Sequence, residues 1–585
     1  MTAPFPAPRW ARGVACSLIV CGAVAPAQAQ HASPAAAPAS APPGAAPAAA
    51  ADAAQQAPRF GIYEFEVEGN TVLPVGAIER AVSPFMGEGR TVADVEAARA
   101  ALEKTYQDAG YLSVFVDVPE QRVDEGVVQL RVLEGRVERL AVTGSRYYDQ
   151  GVIRSRVPEL AEGRVPNFNV VQAQLATVNT NELRRVQPVL RPGRHPGTVE
   201  TELQVSDRLP VGGSIELHNH HAQFTKPLRL QASVRHDNLF QSDHSLALTA
   251  ITAPQDTDQS KVLVLNYTAP LAGGGAWMGF VVASDSAIEP LGVANVIGKG
   301  TSLGLRRVWS LPGSPHLPGY VHNLVLGVDV KDQKENTLAG NSGLATPMRY
   351  APISAAYAAN WQGDGGSRTQ ATASVVANLR TTLKRRVLKS ECGVADPDDP
   401  RDSVDQFECK REGADGGFAL VKLDLRHVHK AWETAAGSWE AEWHLGGQLA
   451  SQPLVAAEQY AIGGAETVRG YLEAEAIGDH GVLAGLELRG PNLARRHAQA
   501  DAGGWRALFD EITAYGFLEA GSIRLIDGER QTLAGTGVGL KLRARKSLSA
   551  HVDVAWPLKS TPAADGGHVT QAGDPRVHVR VGAEF

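Results

Sequence analysis

Side chains that could do covalent or metal chemistry occur in this sequence without the spacing that such sites need. The seventeen histidines include no H-E-x-x-H pattern, which would place two zinc ligands on one helix face. A G-x-S-x-G pattern, the setting of an activated serine, is also missing. The stretch "GTGVGL" (535–540) lies in a strand pattern with no helix behind it, so its glycines predict strand bending or close loop packing rather than phosphate binding. We therefore expect no enzyme, no cofactor and no metal site.

One charged residue is unusual in its surroundings. Arg469 lies in "IGGAETVRGYLEAEAIGD" (462–479), a stretch with paired glycines and too little apolar content for a core. Runs of alternating apolar residues flank this stretch on both sides. A lone arginine in a loop is usually solvated surface, so composition alone leaves its role open.

The start of the chain predicts export from the cytoplasm. Arg9 and Arg12 precede an apolar run over 13–25, and Ala27-Gln28-Ala29 is a small-residue cleavage site. Residues 1–29 therefore match a signal peptide. The apolar run is too short for a transmembrane anchor, and no other stretch reaches the roughly 18 continuous apolar residues of a membrane helix.

Removal of the signal peptide changes both charge and cysteine content. Loss of two arginines and no acids moves the net charge from −7 to −9, which argues against a nucleic-acid partner, because nucleic acid selects a basic face. Two of the four cysteines leave with the signal. Cys392 and Cys409 remain in an oxidising compartment, so we expect a local disulfide between them.

The next region predicts a linker and two small α+β modules. Residues 30–59 are almost wholly Ala and Pro, which cannot bury a core, so we expect a spacer. In residues 60–136, "YEFEVEGN" alternates like a strand, Thr91 begins a helix with a capping box, and two strands follow. Residues 137–208 repeat this order, with "LAVTGS" echoing "FEVEGN" and Asn169 as the expected cap of a helix. One irregular domain of about 150 residues is the alternative.

Residues 209–585 predict an all-β transmembrane barrel. We count sixteen antiparallel strand runs, many of nine or more residues, joined alternately by short turns and long polar loops. These lengths and connections favour a tilted crossing of outer-membrane lipid, whereas a soluble sandwich or propeller, the alternative, needs strands of only about five or six residues. The chain ends in such a run, with Phe585 as the aromatic expected at the lipid–water boundary. Aromatic residues total 6%, which is few for two girdles.

The stretch around Arg469 resembles a signature of a known superfamily, and this resemblance implies a role for the arginine. "VRGY" resembles the signature of the superfamily that includes bacterial outer-membrane assembly proteins and two-partner secretion transporters. In that superfamily the loop, here 452–479, folds back into the barrel, and its arginine meets an acid of an F-x-D-x-G motif on the inner wall. This chain has "FLEAG" on its thirteenth strand run, with glutamate in place of the usual aspartate. The signature residues are Val468, Arg469, Gly470 and Tyr471, and the matching wall residues are Phe517, Glu519 and Gly521.

The resemblance covers nearly the whole mature chain. Paired modules similar to POTRA domains (small periplasmic α+β domains), sixteen strands, VRGY and the terminal Phe585 together resemble the haemolysin and filamentous-haemagglutinin secretion/activation family. This implies a monomeric pore in the Gram-negative outer membrane, with its modules in the periplasm. The modules would recognise a large unfolded exoprotein, such as a haemolysin, haemagglutinin or adhesin, and the barrel would pass it to the cell surface.

Two rival functions stay open from the sequence. An insertase that folds other barrels into the membrane is the nearer rival, but such relatives typically carry more than two modules. A passive porin-like channel is the rival of another class, and it would need neither the modules nor the VRGY loop.

Overall fold

The computed structural model describes residues 59–585 apart from 124, 272, 292–293, 315, 338–343, 393–401, 495–507 and 564–566. The expected signal peptide and nearly all of the expected linker lie outside the described residues. The chain divides into two compact units between Pro210 and Val211. None of the described helices is long and apolar enough to cross a membrane.

The N-terminal unit begins with a three-stranded sheet covered by two helices. Strand Glu64–Glu68 runs parallel to the last strand of the module, which pairs antiparallel with Val114–Asp117 on its other side. Helix residues Leu102 and Tyr106 pack against Leu130 of the sheet, and all three are 0% exposed. The elements in chain order are strands Phe60–Ile62 and Glu64–Glu68, helix Val75–Val82, the 3-10 turn Ser83–Phe85, strand Gly87–Arg90, helix Val92–Asp108, and strands Val114–Asp117 and Val127–Glu134.

A second module with the same strand order follows. Its first strand again runs parallel to its last, and the middle strand pairs antiparallel with the last. Its separate core contains Ile153, Leu160 and Leu203, each 0% exposed. The elements in chain order are strand Arg136–Thr143, helix Gln150–Ser155, the 3-10 turn Pro158–Leu160, helix Phe168–Val178, and strands Arg184–Pro192 and Thr198–Asp207.

The same backbone turn ends the first strand of each sheet. Gly69 has φ +88° and Gly144 has φ +79°, in the left-handed region that favours glycine. A Cβ at Gly69 would lie 2.4 Å from the carbonyl oxygen of Val132, and one at Gly144 would lie 2.3 Å from that of Val205. The sequence echo at these two glycines therefore reflects one steric requirement that occurs twice.

The two expected helix starts have different outcomes. Thr91 caps helix Val92–Asp108 with the capping box that the sequence predicts. The expected cap Asn169 is wrong, because the Asn167 side chain accepts the N–H groups of Asn169 and Val170, and the helix begins at Phe168. A cap must have extended backbone and accept from the second or third helical residue, and Asn169 is itself that second residue.

The C-terminal unit is a closed antiparallel barrel of sixteen strands, as the sequence predicts. The eighth strand is interrupted at 351–352, and both of its segments pair with the seventh. The strands are β1 (Val211–His218), β2 (Arg229–Leu239), β3 (His244–Thr252), β4 (Ser260–Pro270), β5 (Ala276–Leu291), β6 (Ala294–Ser310), β7 (Tyr320–Thr337), β8 (Leu344–Tyr350 with Ile353–Gln362), β9 (Arg368–Ala377), β10 (Ala419–Thr434), β11 (Gly437–Ala450), β12 (His480–Arg489), β13 (Phe509–Arg524), β14 (Arg530–Ala544), β15 (Leu548–Pro557) and β16 (Arg576–Glu584).

The last strand closes the barrel against the first. β16 pairs with β1 from Arg580 opposite His218 to Glu584 opposite Ser214. One residue beyond β16, the Phe585 N–H donates to the Gly213 carbonyl at 3.0 Å, and the Gly213 N–H donates back at 2.9 Å. The Phe585 side chain is 76% exposed. Phe585 thus extends the seam through its backbone and presents its ring on the outer face.

Most of the described tryptophans lie at one boundary of the barrel. Five tryptophans occupy strand positions near the end where β1 begins, and four of them are at least 36% exposed. Tryptophan prefers a membrane–water interface because its ring is amphipathic. These five are Trp277, Trp309, Trp361, Trp432 and Trp439, and the other described tryptophans are Trp443 and Trp556.

Candidate functional site

The lumen loop, residues 452–479, joins β11 to β12 and folds against the inner wall. It contains the 3-10 turn Ala456–Glu458 and a short strand pair, Tyr460–Ile462 with Ala476–Gly478. Its apolar side chains Val468 and Tyr471 are 0% exposed. Loop and wall share one buried cluster, whose wall members are Leu483, Ile523 and Leu533 of β12, β13 and β14.

The structure brings Arg469 and Glu519 together. The Arg469 backbone N–H donates to Glu519 Oε2 at 2.7 Å, Nε donates to Oε1 at 2.8 Å, and Nη2 also donates to Oε1. Nη2 donates in addition to Glu487 at 2.9 Å, and Nη1 lies 3.5 Å from a carboxylate oxygen of Asp553. The Arg469 side chain is only 9% exposed. Charge-assisted hydrogen bonds in so enclosed a place are stronger than neutral ones, so they fix the loop tip on the wall.

The rest of the strand motif supports the same contact. Residues two apart on a strand project to one face, so Phe517, Glu519 and Gly521 all point toward the loop. The guanidinium carbon of Arg469 lies 3.4 Å from the centroid of the Phe517 ring, a cation–π contact. A Cβ at Gly521 would come within 3.4 Å of Val468, so glycine there leaves room for the loop.

Two further glycines allow the loop to approach β14 and β16. Gly470 has φ +98°, and its N–H donates to Nε2 of His578 at 3.2 Å. A Cβ at Gly535 would lie 2.2 Å from the carbonyl oxygen of Arg469. Close packing of a loop was one of the two expectations for "GTGVGL", and Gly535 confirms it.

Tyr471 joins the loop tip to the end of β15. Its hydroxyl oxygen lies 2.9 Å from the carbonyl oxygen of Ala534 and 2.8 Å from that of Lys559. The same oxygen accepts the Lys559 N–H at 3.2 Å. All four VRGY residues therefore contact the wall or are buried against it.

The sequence did not identify Glu487, Asp553 or His578 as neighbours of Arg469. Each lies on an inward-facing position of its strand, and that alternation is visible in the sequence. Which of the many inward-facing polar residues stands level with the loop tip depends on strand register, which has no local sequence signal. The three carboxylates around one guanidinium are thus a finding of the structure.

The two cysteines also come together. Cys392 and Cys409 form a disulfide with their Cα atoms 5.3 Å apart. They lie in residues 378–418, which join β9 to β10 and which we name the stapled loop. This loop contains a small strand pair, Arg386–Leu388 with Ser403–Asp405.

The chemistry available at this site is binding and positioning. In the part of the chain that the structure describes, no group of three or more His, Cys, Asp or Glu side chains is placed to hold a metal ion. The arrangement holds the lumen loop against the inner wall by charge-assisted hydrogen bonds.

Two family models match the chain. Residues 60–135 match the ShlB-type POTRA domain, and residues 363–542 match the haemolysin secretion/activation protein ShlB/FhaC/HecB. The second match includes the stapled loop, the lumen loop and the "FLEAG" strand.

Curated relatives and solved structures agree with these matches. The chain is 23% identical over 185 residues to the outer membrane transporter CdiB of Dickeya dadantii, covering 32% of each chain. It is 24% identical over 164 residues to CdiB of Escherichia coli, covering 28% of each. The aligned part thus spans about a third of the length of these relatives.

The solved structures share the fold over most of the chain. CdiB from Escherichia coli has a TM-score of 0.55 at 16% identity, covering 91% of this chain and 92% of that one. BamA from Haemophilus ducreyi without POTRA domains 1–3 has a TM-score of 0.51 at 14% identity, covering 90% and 100%. Over residues 60–135 and 363–542 the chain is thus similar to the ShlB-type POTRA domain and to the haemolysin secretion/activation protein ShlB/FhaC/HecB, and its sixteen-stranded barrel shares the fold of CdiB and BamA.

Proposed function

We propose that this protein exports one large partner exoprotein across the outer membrane. The POTRA modules take up the unfolded client in the periplasm, and the client threads the barrel and folds outside. The observation that carries the proposal is the lumen loop, pinned to the inner wall through Arg469 and Glu519 in a barrel that follows two α+β modules.

The contacts of Arg469 suit a loop that must hold one position and also leave it. A buried ion pair adds little net stability, because desolvation of both charges offsets their attraction. Such a pair is specific in geometry, and water or the charged groups of a passing chain can replace it. A permanently open channel has no use for such a loop, so the contact favours gated export.

A free sheet edge on a module is the best place to hold an unfolded chain, because main-chain pairing does not depend on client sequence. One edge of the first sheet is already occupied. On edge strand Val114–Asp117, the Val116 N–H donates to Glu103 at 3.3 Å and its carbonyl accepts from Arg99 at 3.4 Å. Side chains of the long helix thus cover this edge.

Each edge strand of the second sheet is occupied at one residue. Val186 exchanges two hydrogen bonds with the Asn179 side chain, at 2.7 and 2.9 Å. Val137 exchanges two with the backbone of Gly163 and Arg164, at 2.7 and 2.8 Å. Groups of this kind protect sheet edges from further pairing.

The fourth edge is Glu64–Glu68 of the first module. Among the residues that the structure covers, its outer side pairs with no strand. We propose that a client strand adds here, parallel or antiparallel to Glu64–Glu68, with the exposed Glu64, Glu66 and Glu68 favouring basic client residues at alternate positions.

The proposal extends to the rest of the assembly. The client is a haemolysin-, haemagglutinin- or adhesin-like exoprotein, the transporter acts as a monomer, and its work is transport without enzymatic catalysis. Folding of the client outside the cell makes the passage directional.

Binding to the modules tests this function directly. A purified fragment of residues 59–210, which contains both module cores, is mixed with the N-terminal region of each large secreted protein that is found encoded beside this chain. We expect the fragment to bind the unfolded form and to bind the folded form less well. If the fragment binds neither the unfolded nor the folded form of any neighbouring secreted protein, the result contradicts the proposal and favours a passive channel.

A further inference from the structure

A second fixed point of the lumen loop lies at its C-terminal end, where the loop joins β12. The Asp479 side chain is 0% exposed and accepts hydrogen bonds from the N–H groups of Leu454 and Ile526, both at 2.9 Å, and from Gln459 at 3.2 Å. Burial alone would raise the pKa of Asp479, but hydrogen bonds from Arg411 and these N–H groups keep the pKa below its ordinary value. Asp479 is therefore a charged carboxylate at the point where the loop joins β12.

The charge partner of Asp479 comes from the stapled loop. Nη1 of Arg411 donates to Oδ1 of Asp479 at 2.5 Å and Nη2 donates to Oδ2 at 2.8 Å, a two-pronged contact. Nη1 also donates to the Leu454 carbonyl at 2.9 Å, and Nη2 reaches Asp527 at 3.3 Å. One guanidinium thus joins both ends of the lumen loop and the turn between β13 and β14.

Apolar packing and the disulfide hold Arg411 in place. Phe407 and Phe418 of the stapled loop share a buried cluster with Leu454 and Val455 of the lumen loop. Cys409 lies two residues before Arg411, and its bond to Cys392 closes the chain over a separation of 17 residues. A closed loop has fewer conformations to lose, so the staple reduces the entropy cost of presenting Arg411.

We propose that Arg411 is a positioning residue for the lumen loop, so that the loop has two anchors, Arg469–Glu519 at its tip and Arg411–Asp479 at its base. A role of the Arg411–Asp479 anchor in transport rests on the proposed export function, whereas the anchoring of the loop does not. Because the two anchors lie on one short folded segment, the loop leaves the lumen only when both release. The stapled loop, outside the barrel, then controls whether the lumen loop can leave the barrel interior.

Single-channel recording of the purified full-length protein in planar bilayers tests the anchor. Arg411→Ala removes charge-assisted hydrogen bonds and should raise the frequency of large openings roughly 10- to 100-fold. The matched control is Arg380→Ala, which removes an arginine of the same loop whose partner, Asp415 at 3.6 Å, also belongs to that loop. This control should open like the wild type. Equal opening frequencies in Arg411→Ala and the wild type would overturn the proposal.

A double variant separates anchoring from a general effect on loop structure. Arg411→Ala combined with Arg469→Ala should open more often than either single variant, because two independent anchors are lost. If Arg411 only shapes the surface loop, the double variant will match Arg469→Ala alone, and the proposal fails. Heat-modifiable migration on gels shows that each barrel is folded. Should Arg411→Ala fail to insert, Arg411→Lys carries the test, since it keeps the charge without the two-pronged contact and should open at an intermediate frequency.

The outcomes distinguish the anchor from the export function. If Arg411→Ala opens the pore while cells with the wild-type protein export no client, the anchor stands and the export proposal fails. If export occurs and the pore of Arg411→Ala stays closed, the export proposal stands and the anchor proposal fails.

Discussion

Replacement of Arg469 by alanine isolates the contact at the tip of the lumen loop. The substitution removes the contacts to Glu519 and Glu487 and leaves these carboxylates, with Asp553, facing one another on the wall. Removing one partner of a buried ion pair costs about 3–5 kcal/mol. Since about 1.4 kcal/mol is a tenfold change in an equilibrium constant, the docked state should lose at least ~100-fold in population.

The barrel itself should survive this change. Arg469 holds a loop and contributes to no barrel strand, so the sixteen-stranded ladder remains intact. We expect Arg469→Ala to reach the outer membrane as a heat-modifiable band, to leak ions in planar bilayers, and to secrete its client poorly. The matched control is Arg306→Ala, which removes an inward-facing arginine whose partner on the wall, Asp329, lies outside the Arg469 cluster. This control should secrete at close to wild-type levels.

A double-mutant cycle shows whether Arg469 and Glu519 act as one unit. The losses from Arg469→Ala and Glu519→Ala should be non-additive, because each substitution removes the same contact. Normal secretion by Arg469→Ala, or strictly additive losses in the double variant, would refute the reasoning that this pair controls transport.

Three further substitutions have defined outcomes. Gly535→Ala places a methyl group 2.2 Å from a carbonyl oxygen of the lumen loop and should leak ions in bilayers, whereas Gly516→Ala, whose Cβ meets its nearest atom at 3.7 Å, should not. The hydrogen bond from Thr198, followed by those from the 194–195 backbone and His195, lowers the pKa of Glu138 from 4.5 to about 2. This contribution to module stability is complete above pH 4.5 and is lost as the pH falls toward 2. The melting temperature of fragment 59–210 with Glu138→Gln should therefore approach that of the wild-type fragment as the pH falls through this interval. A difference in melting temperature that stays constant with pH would contradict this prediction. Replacing Cys392 and Cys409 by serine should lower the free energy of unfolding by about 3 kcal/mol in the loop-closure model. The measurement is the temperature at which the folded band is lost on gels, which should fall. An unchanged temperature would show that the disulfide adds no stability.

The barrel was predictable because its pattern is repetitive along the chain. The alternation in β16, from Val577 to Phe585, recurs in most of the sixteen runs, although some, such as "KVLVLNY" (261–267), alternate poorly. The helix cap at Asn167 was missed for the opposite reason. Asn167 and Asn169 are the same residue type two positions apart, and only the backbone conformation decides which one caps the helix.

The lumen loop was predictable only through a resemblance. Without it, Arg469 is one arginine in a glycine-rich stretch, and nothing local points to Glu519 fifty residues later. No resemblance pointed to Asp479 and Arg411, because their contact depends on how two long loops fold against each other. Contacts between segments distant in sequence require the three-dimensional arrangement, and it is these contacts that hold the loop in the lumen.

The most direct test of partner export is the set of proteins on the cell surface and in the medium. Cells that make the full-length protein are compared with cells that make a version lacking residues 60–208, in which the barrel still inserts. We predict that one large exoprotein disappears from the surface while other outer-membrane proteins keep their abundance. An unchanged exoprotein set would contradict the account, as would a general loss of outer-membrane barrels, which would identify an insertase.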